Sequence, residues 1–437
     1  MENIKRTLHI CSLLPLLAAS GAYAQTQNLP NIVLIMADDF GFECIGANGG
    51  NYHTPRIDRL AEEGIRFENC HSNPLSTPSR VQLMTGKYNV KNYISFGELD
   101  RKEITFANLL KKTGYATCIS GKWQLGKQQD SPQHFGFDHS CLWQQTKGAV
   151  DDSGSDTRYT YPVMDVDGRT VEFSPEDFGP DIACNYAIDF IRTHKESPFF
   201  LYYPMMLTHC PFVATPDTEN VELKRSPTYK GNAIYYPDMV SYTDKIVGRI
   251  LDELDRLHLR ENTLVIFTGD NGTDKPVVSM LHGKPYPGGK GQTIDSGTHV
   301  PLIVSAPGGL KNHVNHQLID FTDFLPTLCE AAHIACPTDK ELDGKSFYPQ
   351  LKGDTTDVRK WVYCWYAPRK VHDSNAAVFA RNTQYKLYRN GAFYDVKADF
   401  EEQHPISPSQ MSEEQKKVAA ELKAVIDSYE PFAKQKK

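Results

Sequence analysis

The sequence contains no C-x-x-C pair, no run of basic residues, no internal repeat and no low-complexity tract. Without paired cysteines, neither a zinc ribbon nor thioredoxin-like redox chemistry is indicated. The ten cysteines are irregularly spaced. Free buried thiols are the expectation, although Cys329 and Cys336 are close enough in sequence to pair. The formal net charge is −7 over 437 residues. With no basic run to offset it, that charge argues against nucleic acid as a partner. The apolar stretch at 11–19 is too short for a membrane span.

That stretch follows Lys5 and Arg6 and precedes Ala22-Tyr23-Ala24, a small-x-small cleavage pattern. Residues 1–24 are therefore expected to be a cleaved signal peptide, with export to a bacterial periplasm or beyond. No cysteine stands at the cleavage point, so a lipoprotein anchor is not expected. A plain buried N-terminal helix is the alternative.

From residue 31 short apolar runs alternate with amphipathic segments. Strands are expected at 31–36, 115–120, 199–205, 263–268 and 300–305. Helices are expected from Thr54-Pro55 to Gly64, with Thr54 as N-cap, and at 105–113, 181–194, 238–257 and 319–332. This alternation predicts an α/β fold, a large mostly parallel sheet flanked by helices, over 25–346. Residues 144–180 read as a long irregular insertion. Over 347–437, short aromatic-rich segments at 362–366, 377–381, 385–388 and 392–396 predict a small C-terminal antiparallel sheet. A terminal helix is expected near 412–428.

In a parallel sheet, ligands bind outside the carboxyl ends of the strands. The residues just past the predicted strands are informative: Ala37-Asp38-Asp39, Gly121-Lys122-Trp123-Gln124, Thr208-His209-Cys210-Pro211 and Gly269-Asp270-Asn271-Gly272. Asp38, Asp39, Asp270 and Asn271 offer only oxygen, which suits Ca²⁺, or less well Mg²⁺, and disfavours zinc. Adjacent aspartates are also ordinary turn residues. In Ser76-Thr77-Pro78-Ser79-Arg80, helix-starting residues place position 76 near a helix N-terminus, where an anion is favoured. A plain Ser/Thr cap is the simpler use of such a segment. Lys122 and Lys290 are the candidate cations, Lys290 lying in the glycine-rich Pro287-Gly288-Gly289-Lys290-Gly291.

The ordered series Ala37-Asp38-Asp39, Ser76-x-Pro78-Ser79-Arg80, Gly121-Lys122-Trp123, Thr208-His209, Gly269-Asp270-Asn271-Gly272 and Gly289-Lys290-Gly291 resembles the formylglycine-dependent sulfatases of the alkaline phosphatase superfamily. The resemblance implies that Ser76 is oxidised to C-formylglycine by an anaerobic, Ser-type maturating enzyme. It implies that Asp38, Asp39, Asp270 and Asn271, with position 76, bind Ca²⁺. Arg80 and Lys122 would hold the formylglycine hydrate and the sulfate, while His209 and Lys290 would contact sulfate and the departing ester oxygen. By family habit the substrate would be a sulfated carbohydrate. Gln124 stands where histidine is usual; it can hydrogen-bond but cannot take a proton. Asp295 and His299 stand where Glu and Arg are commoner, and His282 is a candidate substitute base. Two other readings stay open: a phosphate or phosphonate ester hydrolase with the same site, and a non-catalytic glycan-binding protein whose Ser76 is never oxidised.

Overall fold

The apolar run NIVLIMA forms strand Asn31–Ala37, and every residue in it is buried. Successive side chains of a strand point to opposite faces. Ile32, Leu34 and Met36 accordingly join one hydrophobic core, and Val33, Ile35 and Ala37 join another. Each large aliphatic side chain buried this way contributes about 1.5–3 kcal/mol. A strand with apolar residues on both faces is stable only when layers cover both, and that arrangement dictates the architecture. The computed structural model describes residues 29–436 apart from 222–223, 228 and 338–341. The expected signal peptide at 1–24 lies outside the described residues.

Ten strands form the main sheet, in the order His313–Asp320, Ile65–His71, His299–Ser305, Thr263–Gly269, Asn31–Ala37, Phe199–Pro204, Ala116–Lys122, His139–Trp143, Val163–Val166 and Arg169–Glu172. Pairing is parallel through the centre and turns antiparallel at His299–Ser305 and at the Val163–Glu172 edge. Helices Pro55–Glu62, Gly179–Thr193 and Tyr236–Arg256 cover one face. Helices Phe106–Lys112 and Phe324–Ala331 cover the other, together with the small sheet and the terminal helix Glu413–Ala433. Trp365 of the small sheet and Leu422 and Ile426 of the terminal helix share one core with Leu34. The small sheet pairs Val362–Tyr366, Ala377–Arg381, Tyr385–Tyr388 and Phe393–Asp395 in antiparallel order.

Several local expectations are corrected. Residues 144–180 are not wholly irregular: Val163–Val166 and Arg169–Glu172 form a hairpin. Its turn, Asp167-Gly168, has positive φ at both residues, the Asp-Gly signature of a tight hairpin. The helix expected at 319–332 begins only at Phe324, after an edge strand and a short 3-10 turn. Asp320 and Asp323 cap that turn reciprocally, which fixes the helix start downstream. Thr54 does not cap its helix by side chain; its hydroxyl accepts from Gly46 N and donates to Asp58. The carboxylate of Asp244, from helix Tyr236–Arg256, accepts the Arg56 and Ile57 amides instead. The nine cysteines among the described residues are free thiols, eight of them buried.

Candidate active site

The parallel strands run in one direction, so their carboxyl ends meet at one edge. Asn31–Ala37 delivers Asp38 and Asp39, and Thr263–Gly269 delivers Asp270 and Asn271. Ala37 and Gly269 are register partners, which sets the two acidic pairs side by side. Strand Ala116–Lys122 is longer than expected, and Lys122 is its last residue. The segment after Phe199–Pro204 is tied to Asp38 by two backbone hydrogen bonds, Asp38 N to Leu207 O and Thr208 N to Asp38 O, each 2.7 Å. Strand Ile65–His71, missed in the sequence, leads through the turn at 72–75 into helix Ser76–Thr85. Ser76 is the first helical residue, so the free amides of that helix face the site.

One connected network results. Ser76 Oγ donates toward Asp38 Oδ1 at 3.1 Å and Asn271 Oδ1 at 3.3 Å. Lys122 Nζ lies 2.7 Å from Asp38 Oδ2 and 3.3 Å from Ser76 Oγ. Lys290 Nζ donates to Asp39 Oδ2 at 2.5 Å and faces His209 Nε2 at 3.0 Å. Arg80, one turn into the helix, does not reach back to Ser76; its guanidinium meets Asp270 Oδ2 at 3.1 Å. Asp39 is held at positive φ while its amide donates to Asp270 Oδ1 at 2.9 Å. The glycines before Lys290 serve packing of the loop itself: a Cβ on Gly289 would stand 2.6 Å from Gly297 N.

Asp38, Asp39 and Asp270 are fully buried. Burial and the adjacent Asp38 push Asp270 up to about 7, and burial also raises Asp39. Burial opposes ionisation of Asp38 too, but Lys122, His209 and Arg80 hold its carboxyl well below the usual range. Burial pulls the Lys122 ammonium down. For Lys290, burial is outweighed by Asp39 and Asp274, which raise it.

The donor set fits a hard cation. Asn271 Nδ2 donates to Asp39 Oδ1 and Gly272 O, which turns Asn271 Oδ1 toward Ser76. Ser76 has one hydroxyl hydrogen, yet Asp38 Oδ1 and Asn271 Oδ1 both converge on it. More acceptor oxygens meet here than protons can satisfy, and a Ca²⁺-type ion matches that surplus. Asp38, Asp39 and His209 also bring ligand-capable atoms within 4.8 Å of one another. Both His209 nitrogens, however, face cations, so the oxygens are the better donors.

The second of those cations is Arg158, which sequence reasoning missed. It comes from the supposedly irregular segment, is buried, and lies 4.2 Å over the Trp143 ring beside Asp156. Its guanidinium faces His209 Nδ1 while Lys290 faces Nε2. A neutral imidazole accepts at one nitrogen only; Nδ1 also meets the Cys210 carbonyl at 2.5 Å and donates there, which leaves the lone pair on Nε2 for Lys290. Burial, Lys290 and Arg158 together push the His209 pKa well below its ordinary value. Lys122, Lys290 and Arg158 thus converge where an anion is wanted. No flanking pattern in the sequence marks Arg158; only the hairpin that folds residues 163–172 back hints that this segment is ordered.

Two sequence candidates stand apart. Gln124 has positive φ, and its buried Oε1 has no hydrogen-bond partner among the described residues. His282 sits at the tip of hairpin Val278–Pro287, stacked over Gly49, in the wall of a different cavity. Because it is outside the Ser76 network, His282→Ala is expected to leave kcat within about twofold of the parent, since surface changes cost little; steady-state kinetics check this.

The profile of the Sulfatase family matches residues 30–334, well over half the chain. The chain belongs to the sulfatase family. A second profile, N-sulphoglucosamine sulphohydrolase, C-terminal, matches residues 290–430 of this sulfatase. N-acetylgalactosamine-6-sulfatase of Mus musculus is 33% identical, over 82% of this chain and 72% of that one. N-acetylgalactosamine-6-O-sulfatase of Bacteroides thetaiotaomicron is 27% identical, over 98% and 99%. A solved structure from work on metabolism of multiple glycosaminoglycans by the same bacterium superposes with a TM-score of 0.72 at 25% identity, covering 92% and 99%. The alkaline-phosphatase-like fold expected from the sequence is therefore present, and the enzyme is a sulfuric ester hydrolase. No helix among the described residues is long and apolar enough to cross a membrane.

Proposed function

We propose that this sulfatase is an exported enzyme that removes sulfate from sulfated carbohydrates, using a C-formylglycine made from Ser76 and a calcium ion. The observation that carries this reading is the convergence of Lys122, Lys290 and Arg158 beside a helix-terminal Ser76 bordered by oxygen donors. Oxidised and hydrated, position 76 supplies an oxygen nucleophile that needs far less activation than a serine hydroxyl, and calcium held by Asp38, Asp39, Asp270 and Asn271 supplies charge stabilisation.

The residues of the chain itself then divide the remaining work. Lys122 bridges Asp38 and position 76, so it orients the nucleophilic oxygen and neutralises charge beside it. Arg80 locks Asp270 in place and offsets its charge. Lys290 and Arg158 bind sulfate oxygens, where preorganised donors act without reorganisation cost. Lys290, kept protonated by Asp39, stands ready to hold or protonate the departing ester oxygen, while the neutral His209 beside it can only hydrogen-bond. Gln124, whose carbonyl has no partner among the described residues, can accept a hydrogen bond but cannot take a proton. The maturation partner is a Ser-type formylglycine-generating enzyme.

The names of the relatives favour glycans bearing 6-O-sulfated N-acetylgalactosamine as first substrates. The test compares sulfate release from N-acetylgalactosamine 6-sulfate with phosphate release from the 6-phosphate, on matured enzyme. Sulfate turnover is expected to exceed phosphate turnover in kcat/KM. Equal or faster phosphate release would overturn the reading.

A further inference from the structure

A cavity of about 610 Å³ opens between the main sheet and the small C-terminal sheet, and none of its lining residues belongs to the Ser76 network. Its inner wall contains Asp295 and His299, the two departures from family pattern that the catalytic site does not use. Asp295 is ion-paired with the buried Arg381, which reaches it from strand Ala377–Arg381. His299 lies between the Phe42 ring, at 4.0 Å, and the His71 ring, at 5.0 Å, and its Nε2 meets the Glu68 carbonyl at 2.8 Å.

His71 has an unused hydrogen-bonding atom. Its Nδ1 faces Arg381, which only donates, at 3.5 Å. The lone pair is therefore on Nδ1 and the proton on Nε2, and buried Nε2 has no acceptor among the described residues. At the rim, Lys284 and Lys397 are exposed, and neither ammonium has an ion-pair partner among the described residues. Asp295, the one carboxylate among the residues lining the cavity, is neutralised by Arg381, so the lining presents Lys284 and Lys397 without an opposing acid of its own, although Asp395 lies beside Lys397 along the chain. Tyr286 and Phe400 add a flat face, their rings stacked at 5.1 Å and 12°.

We propose that this cavity is a second, non-catalytic binding site for an acidic sugar unit, held by Lys284 and Lys397 through its anionic group and by the aromatic pair through its ring. The loop that carries Lys290 continues into Asp295 of the cavity wall, so the two sites are joined through a short stretch of chain. A glycan long enough to present two acidic units is thereby gripped away from the ester being cleaved. That the ligand is a carbohydrate rests on the function proposed above; that it is an anion rests on the cavity alone.

The test uses the matured full chain and the double variant Lys284→Ala/Lys397→Ala, both changes being at exposed positions. With a chondroitin 6-sulfate tetrasaccharide, KM is expected to rise by about tenfold, as for loss of two attractive charges. With N-acetylgalactosamine 6-sulfate, kcat/KM is expected to be unchanged. Calorimetric titration with the same tetrasaccharide decides the matter even if neither compound is hydrolysed: weaker binding by the double variant supports the site. A hyaluronan tetrasaccharide, which carries carboxylates but no sulfate, tells which anion is read. Affinity for it that also falls in the double variant assigns the carboxylate; binding confined to the sulfated chain assigns the sulfate. Unchanged tetrasaccharide binding, or an equal loss with the monosaccharide, overturns the proposal.

Discussion

Ser76→Ala is expected to abolish sulfate release, lowering kcat by at least about 10³-fold, the scale on which loss of a covalent nucleophile is felt. The position leaves little room for compensation. Ser76 is the first residue of a wholly buried helix, and the oxygens and nitrogens around its Oγ belong to side chains that point at that one atom. No neighbouring serine can replace it: Ser79 is turned to the Asn73 carbonyl. The fold should survive, because alanine suits a helix and the lost hydrogen bonds cost only about 1 kcal/mol net. Circular dichroism and the melting curve should therefore match the parent while turnover disappears. Retained turnover in Ser76→Ala would place the nucleophile elsewhere.

Removal of divalent cations should be nearly as damaging. Chelation with EGTA is expected to reduce kcat by at least about 100-fold, since the ion supplies several kcal/mol of charge stabilisation. Calcium should restore activity better than magnesium, which demands a near-ideal octahedron and gives up its waters reluctantly. A second readout is independent of turnover. The ion relieves repulsion among three buried carboxylates, so calcium at 100 times its Kd should stabilise the fold by about 2.7 kcal/mol. The sign of the pH effect comes from Asp270, whose pKa burial and Asp38 raise to about 7 in the metal-free chain. Binding must displace that proton, so apparent calcium affinity should weaken as pH falls through about 7. A melting temperature indifferent to calcium would argue that the acidic cluster is neutralised by Lys122, Lys290 and Arg80 alone.

Much of this site was legible in the sequence because it sits at strand ends. Buried strands announce themselves as apolar runs, and the residues immediately after 31–37, 199–204 and 263–269 then identify the acidic pairs and His209 without any contact being known. Strand Ile65–His71 was missed even though Ile65 and Phe67 alternate with Arg66 and Glu68, because half-buried alternation over so few residues is a weak signal. The edge strand His313–Asp320 gives weaker notice still, being mostly polar and partly exposed. Arg158 was unreadable for a different reason. Its role depends on a segment folding back across Trp143, and that is a matter of long-range packing. His282 shows the converse error: nearness in sequence to Lys290 suggested a base, but the hairpin carries it over Gly49 and into another cavity.

The account turns on the chemical state of one carbon, and mass spectrometry of the tryptic peptide 67–80 reads it directly. Enzyme made alongside an anaerobic Ser-type maturating enzyme should show that peptide lighter by two hydrogen atoms, with the loss at Ser76 and activity in proportion to the modified fraction. Fully active enzyme whose peptide carries only unmodified serine would contradict it.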